Sequence, residues 1–91
     1  MVVLTEQIVR SWASISPSED ISRITTLALN GSRHPEKEKL TNLGRGLKNF
    51  VSLQSLDVSR NYVETLEGID TLSKLTSLNI YPFVIIMMKH P

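Results

Sequence analysis

Leu53-Gln54-Ser55-Leu56-Asp57-Val58-Ser59-Arg60-Asn61, followed by Val63, Leu66 and Gly68, decides the fold of this 91-residue chain. Leu56 and Val58 alternate across Asp57, the period-two pattern of a short strand with one apolar face. Asn61 stands where that strand must turn. An inward amide there satisfies backbone groups that the turn leaves open, and stacked copies would build a ladder of such side chains. Val63, Leu66, Ile69 and Leu72 then return at spacings of three, which suits a 3-10 or short helical path. Gly68 falls where the return path bends, a place for a residue without a β-carbon.

The same unit recurs on both sides. Shifted forward by 22 residues, Phe50, Leu53, Leu56 and Val58 land on Leu72, Leu75, Leu78 and Ile80. Shifted back by 29, they land on Ile21, Ile24, Leu27 and Leu29. The seven extra residues of the first interval are accounted for by the polar stretch around Arg33-His34-Pro35-Glu36-Lys37-Glu38-Lys39, a surface loop by its charge and proline. After it Leu40, Leu43, Gly44, Leu47 and Phe50 resume the inward pattern. All aligned positions are apolar although only 41% of the chain is, so chance is a poor explanation. A period of about 20–29 residues with L-x-x-L-x-L-x-x-N is the leucine-rich-repeat signature. The expected fold class is therefore α/β: a leucine-rich-repeat solenoid of about three repeats with short parallel strands. Upstream, Thr5 to Trp12 reads as a short helix with Thr5 as N-cap and Leu4, Ile8 and Trp12 on one face. Repeat arrays need a cap over the end of their core. The expected organisation is a capping helix over 1–16, repeats over 17–81 and a divergent apolar tail over 82–91.

Length and composition narrow the functional classes. One small domain leaves no room for a scaffold plus a catalytic unit. Ten Lys and Arg against nine Asp and Glu, interspersed, give no field that would gather nucleic acid or anionic lipid. The absence of cysteine favours a reducing compartment. The start has neither the charged nor the apolar part of a signal peptide. The apolar run from Phe83 to Met88 is far short of the roughly 20 residues of a spanning helix. These observations lead to the expectation of a cytoplasmic protein with no membrane partner.

No chemistry-bearing motif emerges. Gly44-Arg45-Gly46 lacks the third glycine and the preceding strand of a dinucleotide loop. His34 and His90 are remote in sequence, have no cysteine to support them, and are expected as solvated loop residues rather than metal ligands. Nothing places a nucleophile beside a base. Catalytic, cofactor, metal and small-molecule sites are expected to be absent. Arg33, Lys37, Lys39, Arg45 and Lys48, diluted by Glu36 and Glu38, read as a solvated face, and Trp12 as part of the cap's core. The tail Phe83 to Met88 reads equally as a makeshift last strand or as a partner-seeking edge.

What remains is binding. The residues between the inward leucines point out from the concave side: Thr26, Ala28 and Asn30, then Ser55, Asp57, Ser59 and Arg60, then Ser77, Asn79 and Tyr81. Solenoids dock partners there. Most of these side chains are small and polar, and Tyr81 and Arg60 are the strongest anchors. Three strands offer on the order of 500–700 Å² to a partner, below the standard of about 800 Å² per side, so weak binding is expected.

Pro35 to Gly44, followed by Ser55-Leu56-Asp57-Val58-Ser59-Arg60-Asn61, resembles the N-terminal repeat domain of the centrosomal protein of 72 kDa family. That family has a close relative known only as a leucine-rich-repeat-containing protein. The resemblance covers Ile21 to Tyr81 and implies a pericentriolar scaffold that takes part in microtubule organisation, with other centrosomal or satellite scaffold proteins as partners. After Tyr81 the family pattern stops, and Phe83 stands at the expected ladder Asn. A truncated isoform, or a gene model that runs past an exon boundary, is expected. A generic cytoplasmic repeat adaptor, ciliary or phosphatase-regulating, and a nonfunctional truncated isoform are the alternatives.

Overall fold

A computed structural model describes residues 2–81. The expectations for the tail, for His90 and for the ladder position Phe83 lie outside them. Three short strands, β2 (Thr26–Ala28), β4 (Ser55–Asp57) and β5 (Ser77–Asn79), form one parallel sheet in the order β2-β4-β5. Their register pairs Thr26 with Ser55 and Ser55 with Ser77, the offsets of 29 and 22 residues that the apolar spacing predicts. Parallel neighbours need a long crossover. Here the first crossover carries two 3-10 turns, Gly31–Arg33 and Glu36–Glu38, and the strand Leu40–Asn42, and the second a single 3-10 turn, Ile69–Thr71, as the three-residue spacing anticipates.

A second sheet was not legible in the sequence. β1 (Val2–Val3) pairs in parallel with β3 (Leu40–Asn42), with a register irregularity between the two valines. The Leu4 amide extends the pairing by donating to the Asn42 carbonyl at 2.8 Å. This sheet ties the N-terminus to the segment that follows the charged insertion. It also corrects the expected helix face. α1 (Glu6–Trp12) has Thr5 as N-cap, its hydroxyl accepting from the Ile8 amide, as its position predicts. Leu4, however, lies in the extended lead-in, so the four-residue periodicity cannot start from it. Leu4 and Val9 are the buried side chains, whereas Ile8 and Trp12 are only partly covered.

One apolar cluster runs through the repeats. Leu27 and Leu29 from the first, Leu40, Leu43, Leu47 and Phe50 from the connection, and Leu53, Leu56 and Val58 from the second are all buried, with Leu4 and Val9 over one end. Gly68 takes φ +98°, and a β-carbon there would lie 2.3 Å from the Gly44 carbonyl oxygen. Two crossovers touch main chain to main chain at that point, which any side chain would prevent.

Asn61 holds the turns together, though not as a ladder. Its Nδ2 lies 2.9 to 3.2 Å from the carbonyls of Leu29, Val58 and Ser59, and its Oδ1 accepts from the Leu40 amide at 2.9 Å. The aligned residue in the first repeat is Ser32, which is exposed. A single amide thus bridges two repeats and the insertion. Gly31 makes the space, since a β-carbon there would lie 2.7 Å from Asn61 Oδ1.

Candidate protein-binding face

Thr26 and Ala28, Ser55 and Asp57, Ser77 and Asn79 occupy matching positions on three adjacent strands. Alternation along each strand sends them to one side, opposite the buried Leu27 and Leu56 and the partly covered Leu78. The strand ends use a repeated device. Asp57 Oδ1 accepts from the Ser59 amide at 2.8 Å, and Asn79 Oδ1 from the Tyr81 amide at 3.0 Å. Each short side chain thereby caps its own turn, as Asp and Asn do readily. One acceptor oxygen at each site is already engaged.

Ser59 does not belong to an accessible face. It is 4% exposed, its hydroxyl accepts from Asn30 Nδ2 at 2.9 Å, and its carbonyl accepts from the Gly31 amide at 2.9 Å. The alternation that aims Ser55 and Asp57 outward ends with the strand, and in the turn Ser59 is drawn against the first repeat. Asn30, half-buried, likewise spends its amide on Ser59 and its Oδ1 on the Ser32 amide. These two residues brace the turns.

Arg60 and Tyr81 meet. The guanidinium carbon stands 5.8 Å from the ring centroid, within cation–π range. Arg60 has φ +60°, unusual for a residue with a side chain. The conformation is held by its amide donating to the Tyr81 carbonyl at 2.9 Å and by Lys39 Nζ near its own carbonyl at 3.4 Å. Tyr81 is 66% exposed. The pair forms an amphipathic ridge at the end of the polar face.

Among the described residues no group of three His, Cys, Asp or Glu side chains could hold a metal, and no helix is long and apolar enough to cross a membrane. Gly44 and Gly46 serve packing: a β-carbon on Gly46 would meet Leu4 at 2.8 Å, and one on Gly44 would meet Val3 at the same distance. His34 is not the free loop residue its neighbours suggested. Its ring stacks on Trp12 at 3.6 Å between centroids and 6° between planes, with Glu38 Oε1 3.9 Å from Nδ1. Trp12 is accordingly half-buried beside the insertion. Nothing local links residues 22 apart in sequence, so this contact had no signature to read.

The chain is 40% identical over 80 residues to the centrosomal protein of 72 kDa of Mus musculus, covering 88% of this chain and 12% of that protein. To leucine-rich repeat-containing protein 36 of Mus musculus it is 36% identical over 78 residues, 86% of this chain and 10% of the relative. The human centrosomal protein of 72 kDa matches at 40% over 71 residues, 78% of this chain and 10% of its own length. No family model matches the chain, and no solved structure matches it at a significant level. The chain spans about a tenth of the length of these curated relatives. At this level of identity it is a relative of the N-terminal leucine-rich-repeat region of the centrosomal protein of 72 kDa family.

Proposed function

We propose that the chain is a non-catalytic protein-interaction module, a short leucine-rich-repeat solenoid that docks centrosomal or pericentriolar scaffold proteins on its polar sheet face. The observation that carries this reading is the register of β2, β4 and β5, which sets Thr26, Ser55, Asp57, Ser77 and Asn79 side by side and ends them at the Arg60–Tyr81 ridge. α1 with Leu4 and Val9 acts as the cap of the array, and residues 17–81 as its repeats. The names of its relatives point to the centrosome as the place of action, and through it to microtubule organisation.

Small polar side chains around one aromatic–cation pair make a modest docking surface, since binding energy concentrates in Trp, Tyr and Arg. A tagged chain should concentrate at centrosomes, and Tyr81→Ala together with Ser77→Arg, both at exposed positions, should disperse it without lowering its melting temperature. A diffuse signal from the unaltered chain in cells with normal centrosomes would refute the centrosomal reading. Dispersal accompanied by unfolding would refute the assignment of the face.

A further inference from the structure

The outer edge of β2 has a different chemistry from the polar face. The Leu29 amide donates to the Asp57 carbonyl at 2.6 Å, and the Ser55 amide to the Thr25 carbonyl at 3.0 Å. In a parallel pair alternate residues turn both peptide groups toward one neighbour. Thr25, Leu27 and Leu29 therefore serve β4, and Thr26 and Ala28 turn their N–H and C=O groups the other way. β2 is the outermost strand of its sheet, and no strand among the described residues pairs with that side. Both residues are exposed. Natural edges are usually blunted by lysine, proline or a bulge. Thr26-Leu27-Ala28 carries none of these.

Two hollows run along this edge, one after the other, sharing Trp12 and Ala28. The first is lined by Trp12, Ile15, Ile24 and Leu27, together with the polar Ser14 and Glu19. The second, reached two residues further along β2, is lined by Asn30, Arg33 and His34. Stacking on His34 fixes the Trp12 ring as the wall between them. Arg33 has no hydrogen bond or ion pair among the described residues, so its charge is available to a visitor. A two-residue step is the repeat of side chains on one face of a strand.

We propose that the outer edge of β2 receives an extended segment of a partner polypeptide, added parallel to β2. An apolar side chain of that segment enters the hollow over Ile15 and Ile24, and an acidic one two residues later meets Arg33. Main-chain hydrogen bonds to Thr26 and Ala28 supply the attachment, and the two hollows supply the selection, the division of labour usual in strand addition. The direction follows from the sheet, in which every pairing is parallel. This surface is an edge rather than the polar face, so it stands or falls separately from the docking proposed above.

The probe is an acetylated, amidated hexapeptide, Thr-Thr-Phe-Thr-Glu-Thr, titrated into the full isotope-labelled chain. The expected result is that the Thr26 and Ala28 amide resonances shift and exchange more slowly, while those of Ser77 and Asn79 stay in place. Methylating one alternate set of peptide nitrogens should abolish binding and methylating the other should not, because only alternate groups face the edge. This test uses the unaltered protein. Ala28→Pro removes an outward N–H without touching the ladder to β4, and should weaken binding at least about tenfold; Arg33→Glu should do the same for this peptide but not for one with lysine in place of glutamate. Equal binding of both methylated forms would overturn the proposal, as would shifts confined to the polar face. Concentration-dependent shifts of Thr26 and Ala28 without peptide would also overturn it, since a second copy would then be the occupant.

Discussion

The second and third repeats carry the same residue types in the same register, yet they are covered very differently. Leu53, Leu56 and Val58 are each 1% exposed, whereas their counterparts Leu75, Leu78 and Ile80 are only partly buried. β4 has a strand on each side, while β5 pairs only with β4 among the described residues. A leucine in a stacked array contributes in proportion to what its neighbours cover, not to its place in the motif. Stability in such a chain resides in the contacts between repeats.

That difference predicts unequal responses to one substitution. Leu56→Ala should cost about 2–5 kcal/mol, the transfer term plus a cavity enclosed on both sides. Leu78→Ala, at the less covered position, should cost less than about 2 kcal/mol, because exposed methyl groups lose little and the site collapses easily. Urea midpoints of the two variants measure this directly. Equal losses would mean that the third strand is covered as fully as the second.

The turns sharpen the contrast further. Asn61 and Ser32 are aligned in the repeat, but only Asn61 is buried, at 1% exposure and with four polar neighbours. Asn61→Ala orphans the Leu40 amide and the Leu29 carbonyl, at about 1–3 kcal/mol for each buried group left unpaired. Ser32→Ala should stay within about 0.5 kcal/mol, as exposed substitutions usually do. If both variants unfolded alike, Asn61 would be an ordinary turn residue and the bridge between repeats would lie elsewhere.

The periodic part of this architecture was legible because it is local. The offsets of 22 and 29 residues follow from apolar spacing alone, since stacking requires every inward position to be filled. The bend at Gly68, the N-cap at Thr5 and the surface course of the insertion are equally local. Contacts between distant segments were not legible. Val2–Val3 is too short to show alternation, so its pairing with Leu40–Asn42 left no pattern. The same holds for Trp12 on His34. Alternation along the strands sets Ser55 with Asp57 and Ser77 with Asn79 on one side, but it does not carry on to the buried Ser59, because the turn rotates the chain once the ladder ends. The open edge of β2 needed the hydrogen-bond parity, which only the paired strands reveal.

The end opposite β5 is tied down by a charge, and this gives the smallest and most pH-sensitive effect. Glu6 reaches from α1 to Asn49, whose Nδ2 donates to Oε1 at 3.0 Å, and Arg10 Nε lies 3.2 Å from Oε2. The hydrogen bond from Asn49 lowers the Glu6 pKa from its ordinary 4.5; loss of solvent opposes it, and the Arg10 contact adds to the lowering. A carboxyl depressed in the folded state contributes stability that is complete above its unfolded value and disappears as pH falls through the folded one. The contribution is small because the side chain is 38% exposed and water screens it. Thermal melts at neutral pH should therefore place Glu6→Gln slightly below the unaltered chain, and the gap should close as the pH drops well below 4.5. Leu78→Ala, by contrast, should shift the melt by the same amount at both pH values, since nothing at that position titrates. A Glu6→Gln gap that persisted in acid would show that the side chain acts through its hydrogen bonds and shape rather than its charge, and no gap at either pH would show that α1 is held by packing of Leu4 and Val9 alone.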